Sequence, residues 1–264
     1  MDRVIPFVKA VACGNDFLLI DAVFAPPDIA AFTRLICDRH EGVGADGVEW
    51  MSSANPADVE IRLINADGSE AEISGNGTRC VAAYVCSTQG KEKVSILTGA
   101  GLKSCTLTSR TESDYEFEVE MGRARVDPEL TLLLNGRGKV RGIPVSMGNP
   151  HYVVFVAEFA EDWQTLAAEI QRQPQFPEGV NVEFVRTQRS HDVQALFFER
   201  GAGETKSSGT GSCACAMASI ATGRAESPVR IHAQGGLQTV RLEQGAVFLR
   251  GTARIVCRGE FLLR

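Results

Sequence analysis

A glycine-rich turn occurs twice in this chain, as Ser-Gly-Asn-Gly at residues 74–77 and as Ser-Gly-Thr-Gly at residues 208–211. Residue 208 follows residue 74 by 134 positions. The same interval separates Gly-Asn-Asp at residues 14–16 from Gly-Asn-Pro at residues 148–150. Several motifs that repeat in one register predict two copies of a single fold.

Each copy predicts the same order of elements. An extended run precedes an amphipathic helix, with Asp28 as its N-cap in the first copy and Asp162 in the second. Alternating strands follow, and then the glycine turn leads into a nearly all-apolar helix, which must be buried. This order predicts an α+β protein with two pseudo-symmetric lobes. Each lobe is expected to be a mostly antiparallel sheet or barrel wrapped around a central buried helix.

The boundary between the lobes is predicted near residue 122, in the stretch Gly-Arg-Ala-Arg-Val-Asp-Pro. The N-terminal lobe would then comprise residues 1–122, joined by a C-terminal strand at 253–264. The C-terminal lobe would comprise residues 123–252.

Composition excludes several classes of function. The chain has 264 residues and a formal net charge of -6, which argues against nucleic-acid binding because that requires a basic surface. The absence of a signal peptide and of a long apolar run predicts a cytoplasmic protein. Eight cysteines are therefore expected to be reduced, and their spacing fits no zinc site, so no metal is expected.

The two glycine turns are candidate anion sites. A helix N-terminus presents unpaired N–H groups and a partial positive charge, and glycine lets a ligand approach the backbone closely. The alternative is that the glycines only permit tight packing, with Ser74 and Ser208 acting as helix caps. The occurrence of two such turns in register favours the binding interpretation.

Polar residues near these turns are candidate ligand contacts. Asn15 and Asn149 are paired across the repeat, which favours a clamp around a ligand over local turn chemistry. Arg200 can bind a carboxylate through two hydrogen bonds, and the alternative for it is a surface ion pair with a neighbouring Glu.

At these residues the chain resembles the diaminopimelate epimerases over nearly its whole length. The motifs that carry the resemblance are 14–17 (GNDF), 37–40 (CDRH), 42–47 (GVGADG), 65–72 (NADGSEAE), 74–80 (SGNGTRC), 148–151 (GNPH), 199–205 (ERGAGET) and 208–211 (SGTG).

The resemblance implies an isomerase of lysine biosynthesis that interconverts LL- and meso-diaminopimelate without a cofactor. Two lobes would close on the substrate, and one group from each central helix would move a proton at the α-carbon. The matching positions imply that ten residues bind substrate: Asn15, Asn65, Gly75, Asn76, Asn149, Asn181, Glu199, Arg200, Gly209 and Thr210.

The chain departs from the family at its two reactive positions. The two cysteines of the family fall on Ser74 and Ser208, which are thus the candidate catalytic residues. A hydroxyl is a weak base unless a second group activates it, and no His or Lys stands in an obvious place to do so twice. Cys13 is the remaining thiol that merits a test. A second departure is Gly47, where the family often carries a side-chain amide.

Four hypotheses remain open from the sequence. The chain is an epimerase with an unusual acid/base pair, a related amino-acid racemase or dehydratase, a non-catalytic binding protein, or a trapped form in which Cys was changed to Ser. The expected partner is a small amino-acid substrate, with no nucleic acid and no membrane, and a homodimer is the candidate oligomeric state.

Overall fold

The computed structural model describes residues 3–134 and 136–263. The chain divides into two compact units, one made of residues 1–119 and 251–264 and the other of residues 120–250. In the described part of the chain, no helix is long and apolar enough to cross a membrane.

The first unit places a mostly antiparallel sheet around a central helix. Its elements are β1 (Arg3–Ala12), β2 (Asn15–Asp21), α1 (Ile29–Cys37), β3 (Gly47–Ser52), β4 (Val59–Asn65), β5 (Glu70–Ala71), α2 (Gly75–Gln89), β6 (Lys93–Thr98), β7 (Gly101–Arg110) and β8 (Asp114–Gly122), with a 3-10 turn at Ala22–Phe24. The pairs β2–β3 and β4–β6 are parallel, while β1–β2, β3–β4, β6–β7 and β7–β8 are antiparallel.

The second unit repeats this arrangement. Its elements are β9 (Arg125–Val126), β10 (Leu130–Leu134), β11 (Gly138–Ser146), β12 (Pro150–Phe155), α3 (Trp163–Gln171), β13 (Asn181–Arg189), β14 (Asp192–Glu199), β15 (Gly203–Thr205), α4 (Gly209–Ala221), β16 (Val229–Ala233), β17 (Gly236–Glu243) and β18 (Ala246–Leu263). Here β12–β13 and β14–β16 are the parallel pairs. Strand β18 begins in this unit, and its residues from 251 onward belong to the first unit, where they pair antiparallel with β1.

Strand register confirms the interval found in the sequence. In the first unit Phe17 on β2 lies opposite Gly47 on β3, and in the second His151 on β12 lies opposite Asn181 on β13. Each residue of the second pair follows its counterpart by 134 positions. Both copies therefore pair their strands in the same way up to the central helix.

The central helices α2 and α4 begin at the two glycine turns. Ser74 caps α2, with its Oγ accepting a hydrogen bond from the Gly77 N–H at 3.1 Å, and Ser208 caps α4 through the Gly211 N–H at 3.2 Å. Most residues of both helices are buried, because small side chains let the sheet approach closely. The predicted α+β class, with a sheet around a buried helix in each lobe, is confirmed.

The amphipathic helices α1 and α3 begin differently. Asp28 caps α1 as predicted, accepting a hydrogen bond from the Ala31 N–H at 2.9 Å. Asp162 occupies the N-cap position of α3, but its carboxylate binds the Arg137 guanidinium at 2.5 Å and makes no cap bond. The predicted Asp162 cap is therefore wrong, because a charge-assisted bond to arginine replaces the weaker bond to an amide.

Candidate active site

Ser74 marks the first half-site, at the positive end of the α2 dipole. It is half-buried, and its Oγ holds the Gly77 N–H. A methyl group placed on the adjacent Gly75 would meet no heavy atom of the described residues within 4 Å. The helix N-terminus beside Ser74 therefore has room for an anionic group.

A network of amides lies beside this turn. The buried Asn76 donates from Nδ2 to Asn15 Oδ1 at 2.6 Å, and Asn15 donates in turn to Asp46 Oδ2 at 3.1 Å. The Arg79 guanidinium donates to Asn76 Oδ1. The structure thus brings together Asn15 and Asn76, both of them predicted from the sequence, and fixes how their amides point.

Asn65 ends β4 directly opposite Gly47 on β3. Its Nδ2 donates to Ser69 Oγ at 3.0 Å. A methyl group at Gly47 would lie 2.8 Å from the carbonyl oxygen of Ile64, so this position admits no side chain without movement of the backbone. The packing of β3 against β4 therefore favours glycine at this position.

Ser208 marks the second half-site and is buried, with 5% of its surface exposed. Asn149 donates from Nδ2 to Thr210 Oγ1 at 3.3 Å, which repeats the contact between Asn15 and Asn76 at an interval of 134 residues. A methyl group at Gly209 would lie 3.3 Å from Leu249, so this turn is more closely packed than the turn at residue 75.

Three further predicted residues lie at the ends of β13 and β14. The buried Asn181 accepts a hydrogen bond from the Arg200 N–H at 2.9 Å and donates to a carbonyl of β12 at 3.1 Å. Glu199 accepts from the Thr205 hydroxyl at 2.6 Å. The exposed Arg200 side chain donates to the carbonyl of Glu178 at 2.8 Å, and this backbone contact takes the place of the surface ion pair considered from the sequence.

Two fully buried glutamates were not predicted from the sequence as residues of the site. Glu49 lies on β3 and Glu183 on β13, again separated by 134 residues. Burial raises the pKa of Glu49 to about 8. In both strands the acidic residue stands at the same place between a valine and an aromatic residue, a signal that the sequence already carried.

His151 joins Glu183 to the second half-site. Its Nδ1 lies 2.6 Å from Glu183 Oε1, and its Nε2 lies 3.0 Å from Asn149 Oδ1. Because an amide oxygen only accepts, Nε2 carries a proton, and Nδ1 shares a second proton with the carboxyl. Burial raises the pKa of Glu183, and the imidazole offsets part of that rise.

Seven of the eight cysteines are buried. Burial raises the pKa of Cys80 on α2, and Cys213 and Cys215 belong to the apolar core of the second unit. Cys13 is buried and accepts a hydrogen bond at 3.5 Å from a buried arginine of α2, while Cys257 is exposed. Among residues 3–134 and 136–263, His, Cys, Asp and Glu side chains form no group of three or more that could hold a metal ion.

Comparison with known families decides the relationship of the chain. A family model described as diaminopimelate epimerase matches residues 7–126 and 143–256. The chain belongs to the diaminopimelate epimerase family. A diaminopimelate epimerase of Pelotomaculum thermopropionicum is 35% identical over 277 residues, which cover 98% of this chain and 99% of that protein. One from Parabacteroides distasonis is 34% identical over 266 residues, covering 98% of each chain. The predicted family and isomerase class are confirmed.

Solved structures share the fold of this diaminopimelate epimerase family member. A hydroxyproline epimerase from Agrobacterium vitis matches with a TM-score of 0.71 at 17% identity, covering 99% of this chain and 93% of that one. A phenazine biosynthesis protein of the PhzF family from Bacillus anthracis matches with a TM-score of 0.73 at 15% identity, covering 98% and 99%. At such identities the likeness concerns the fold alone.

Proposed function

We propose that this chain interconverts LL- and meso-diaminopimelate by proton transfer at the α-carbon, without a cofactor. The observation that carries the proposal is the repeated half-site, a capped helix N-terminus with an amide contact beside it. Asn15 with Asn76 and Asn149 with Thr210 make that contact. Helix N-termini favour a substrate carboxylate and the negative charge that develops when the α-proton leaves.

Ser74 and Ser208 are the proposed acid/base groups. Inversion requires one group to take the α-proton and another to return a proton, and each half-site supplies one hydroxyl for these tasks. A hydroxyl holds its proton far more tightly than a thiol does, so each serine needs a further acceptor to work as a base.

The proposed substrate contacts are the polar groups around the two turns. Arg200 has the planar donor pair that suits a carboxylate, and Glu199 has the charge that suits an ammonium group. The full proposed set is Asn15, Asn65, Gly75, Asn76, Asn149, Asn181, Glu199, Arg200, Gly209 and Thr210.

Proton NMR in D2O tests this function directly. Purified protein is mixed with LL- or meso-diaminopimelate, and loss of the α-proton signal is followed together with appearance of the other stereoisomer. Exchange with inversion is expected. Ligand-induced thermal stabilisation without exchange would instead support a protein that binds the substrate without turning it over. No stabilisation at all would contradict diaminopimelate as the substrate.

We also propose a cytoplasmic location and a homodimeric state. The eight cysteines form no disulfide in the described part of the chain, which is expected in a reducing compartment. Light scattering coupled to size-exclusion chromatography tests the oligomeric state, and a single species of monomer mass would contradict it.

A further inference from the structure

Glu49 is a buried carboxyl for which the proposed reaction has so far no use. It is fully buried on β3, between Leu19 on β2 and Leu63 on β4. Neither of its oxygens hydrogen-bonds to any group in the described part of the chain. Burying an unpaired carboxyl is costly, and such groups concentrate at functional sites.

The Glu49 carboxyl lies against the first turn of α2. A methyl group at Gly77 would be 1.9 Å from Glu49 Oε1 and 3.3 Å from Ser74 Cβ, so glycine leaves open the space between the carboxyl and the serine. Ser74 Oγ is the acceptor in its bond with the Gly77 N–H. A hydroxyl that accepts a hydrogen bond still has its own proton to donate.

The second unit contains the same arrangement. A methyl group at Gly211 would be 2.9 Å from Glu183 Oε1 and 2.9 Å from Ser208 Cβ. Because Glu183 is the counterpart of Glu49, a buried carboxyl and the capping serine lie near the same glycine in both copies of the fold. Because the arrangement occurs in both copies, chance packing is a poor explanation for either carboxyl.

The two carboxyls differ in their partners. His151 bonds to Glu183, whereas its counterpart Phe17 is buried and apolar and offers Glu49 no bond. The Glu183 carboxyl therefore has a hydrogen-bonded imidazole beside it, and the Glu49 carboxyl has none. Epimerisation requires one protonated and one ionised group at the same moment, and unequal surroundings favour unequal protonation of two carboxyls.

Electrostatics near Glu49 are simple. Burial alone raises its pKa to about 8, and the titratable group that faces it is the Cys80 thiol on α2, whose own pKa is raised chiefly by burial and partly by Glu49. Glu183 faces His151, which lowers its pKa, Glu199, which raises it, and the thiol of Cys215.

Resting on the proposed function, we propose that Glu49 acts through Ser74, and Glu183 through Ser208, as proton-relay partners that enable hydroxyls to do the work of thiols. The glutamates do not touch the substrate. On the abstracting side the bond between Cα and its hydrogen breaks, and the proton forms a new bond to the serine oxygen. The original hydroxyl proton passes to the glutamate oxygen, and the electron pair stays on the α-carbon.

On the opposite side the same exchange runs in reverse. A protonated glutamate gives its proton to the serine oxygen as the serine proton moves to the other face of the α-carbon. One proton is taken and one is returned, so no oxidant, reductant or cofactor enters the balance.

The test compares Glu49→Gln in two backgrounds, the Ser74/Ser208 pair of this chain and the double variant Ser74→Cys with Ser208→Cys. In the serine background, kcat for α-proton exchange should fall by about 100-fold or more, with KM changed by less than about threefold. In the cysteine background the loss should stay below about tenfold, because a thiolate needs no relay. The exposed Glu60→Gln on β4 is the matched control and should leave both rates unchanged.

The pH profile supplies a second readout. In the chain with Ser74 and Ser208, kcat should change with a midpoint near pH 8, and this transition should be absent in Glu49→Gln. If that variant fails to fold, Glu49→Asp, which keeps the carboxyl but shortens its reach, should lower kcat more in the serine background than in the cysteine background.

The outcomes separate the relay from the function on which it rests. Equal losses in both backgrounds, or none in the serine background, would overturn the relay and leave the epimerase standing. Exchange by the cysteine variant alone would overturn both the relay and the proposed activity of the serine-containing chain, and would leave it a protein that binds the substrate without turning it over. Absence of exchange in both backgrounds would overturn the proposed function and the relay together.

Discussion

Single atoms set the chemistry of the two proposed half-sites, since serine carries an oxygen where cysteine would carry sulfur. The hydroxyls of Ser74 and Ser208 keep the capping role of the first turn, each accepting an amide N–H three residues on. What they lack is a proton that leaves readily near neutral pH. A side chain at this position must both cap the helix and transfer a proton. Serine caps the helix by itself, but it needs a second group to act as an acid or base.

Restoring the thiols therefore should raise the rate of epimerisation. We expect Ser74→Cys with Ser208→Cys to increase kcat for diaminopimelate exchange by at least about 100-fold, since two-base transfer needs both groups. Either change alone should give far less. Exchange rates from NMR in D2O provide the measurement, with the neighbouring buried Ser207→Cys as control. Equal activity in all variants would contradict the assignment of these two positions.

Among the secondary-structure elements, the first turn of α2 contains two glycines whose surroundings differ. Gly77 touches the Glu49 carboxyl, while Gly75 faces open space. The two glycines therefore have different reasons to lack a side chain. One leaves room for a buried carboxyl, and the other leaves the backbone accessible to a ligand.

Alanine substitution separates these reasons. Gly77→Ala should lower the free energy of unfolding by about 1–3 kcal/mol, because its methyl group would force the packed carboxyl to move. Gly75→Ala should leave stability unchanged or slightly increased, since alanine favours a helix. Urea unfolding followed by circular dichroism measures both. A Gly77→Ala protein as stable as Gly75→Ala would contradict the close approach of Glu49.

The caps of α1 and α3 provide a second comparison between equivalent elements. Asp28→Ala removes a cap bond and should cost about 1 kcal/mol. Asp162→Ala removes an exposed contact to arginine and should cost less than about 0.5 kcal/mol. Thermal unfolding of the two variants tests this order. A larger loss of stability for Asp162→Ala would contradict the conclusion that Asp28, and not Asp162, caps its helix.

Much of this element-level structure was predictable because it depends on local signals. The serine caps of α2 and α4 and the Asp28 cap of α1 follow from residues close together in the chain. The bond from Asp162 to Arg137 and the bond from Arg200 to Glu178 join separate segments, so neighbouring residues carry no sign of them.

Across the whole molecule, the largest gap in the sequence prediction concerns buried charge. A glutamate within a strand is expected to face water, and nothing in the composition of β3 or β13 places it inside. Only comparison of the two copies could have raised suspicion, since Glu49 and Glu183 share the interval of the glycine turns. Recognising His151 as the partner of one carboxyl required the fold itself.

Burial of the Glu49 carboxyl should make the stability of the folded protein depend on pH. The pKa of Glu49 is 4.5 ordinarily and about 8 in the folded chain. Between these values the folded protein keeps a proton that the unfolded chain has released, so stability falls as pH rises through this window. The fall should reach about 1.4 kcal/mol per pH unit at its steepest and level off above pH 8.

Glu49→Gln isolates this contribution from other titrating groups. Urea unfolding measures the stability of this chain and of the variant between pH 5 and pH 9. The variant should become more stable relative to this chain as pH rises. A difference that stays constant with pH would mean that Glu49 is ionised in the folded protein throughout.

Seven of the eight thiols, all within the described part of the chain, are buried, and Cys257 on β18 is exposed. A maleimide reagent should accordingly add once to each native molecule and eight times to each denatured one. Intact-mass spectrometry then resolves the two populations in a single sample. Every substitution outside these thiols can be screened for its folded fraction in this way, without a calibrated spectroscopic signal.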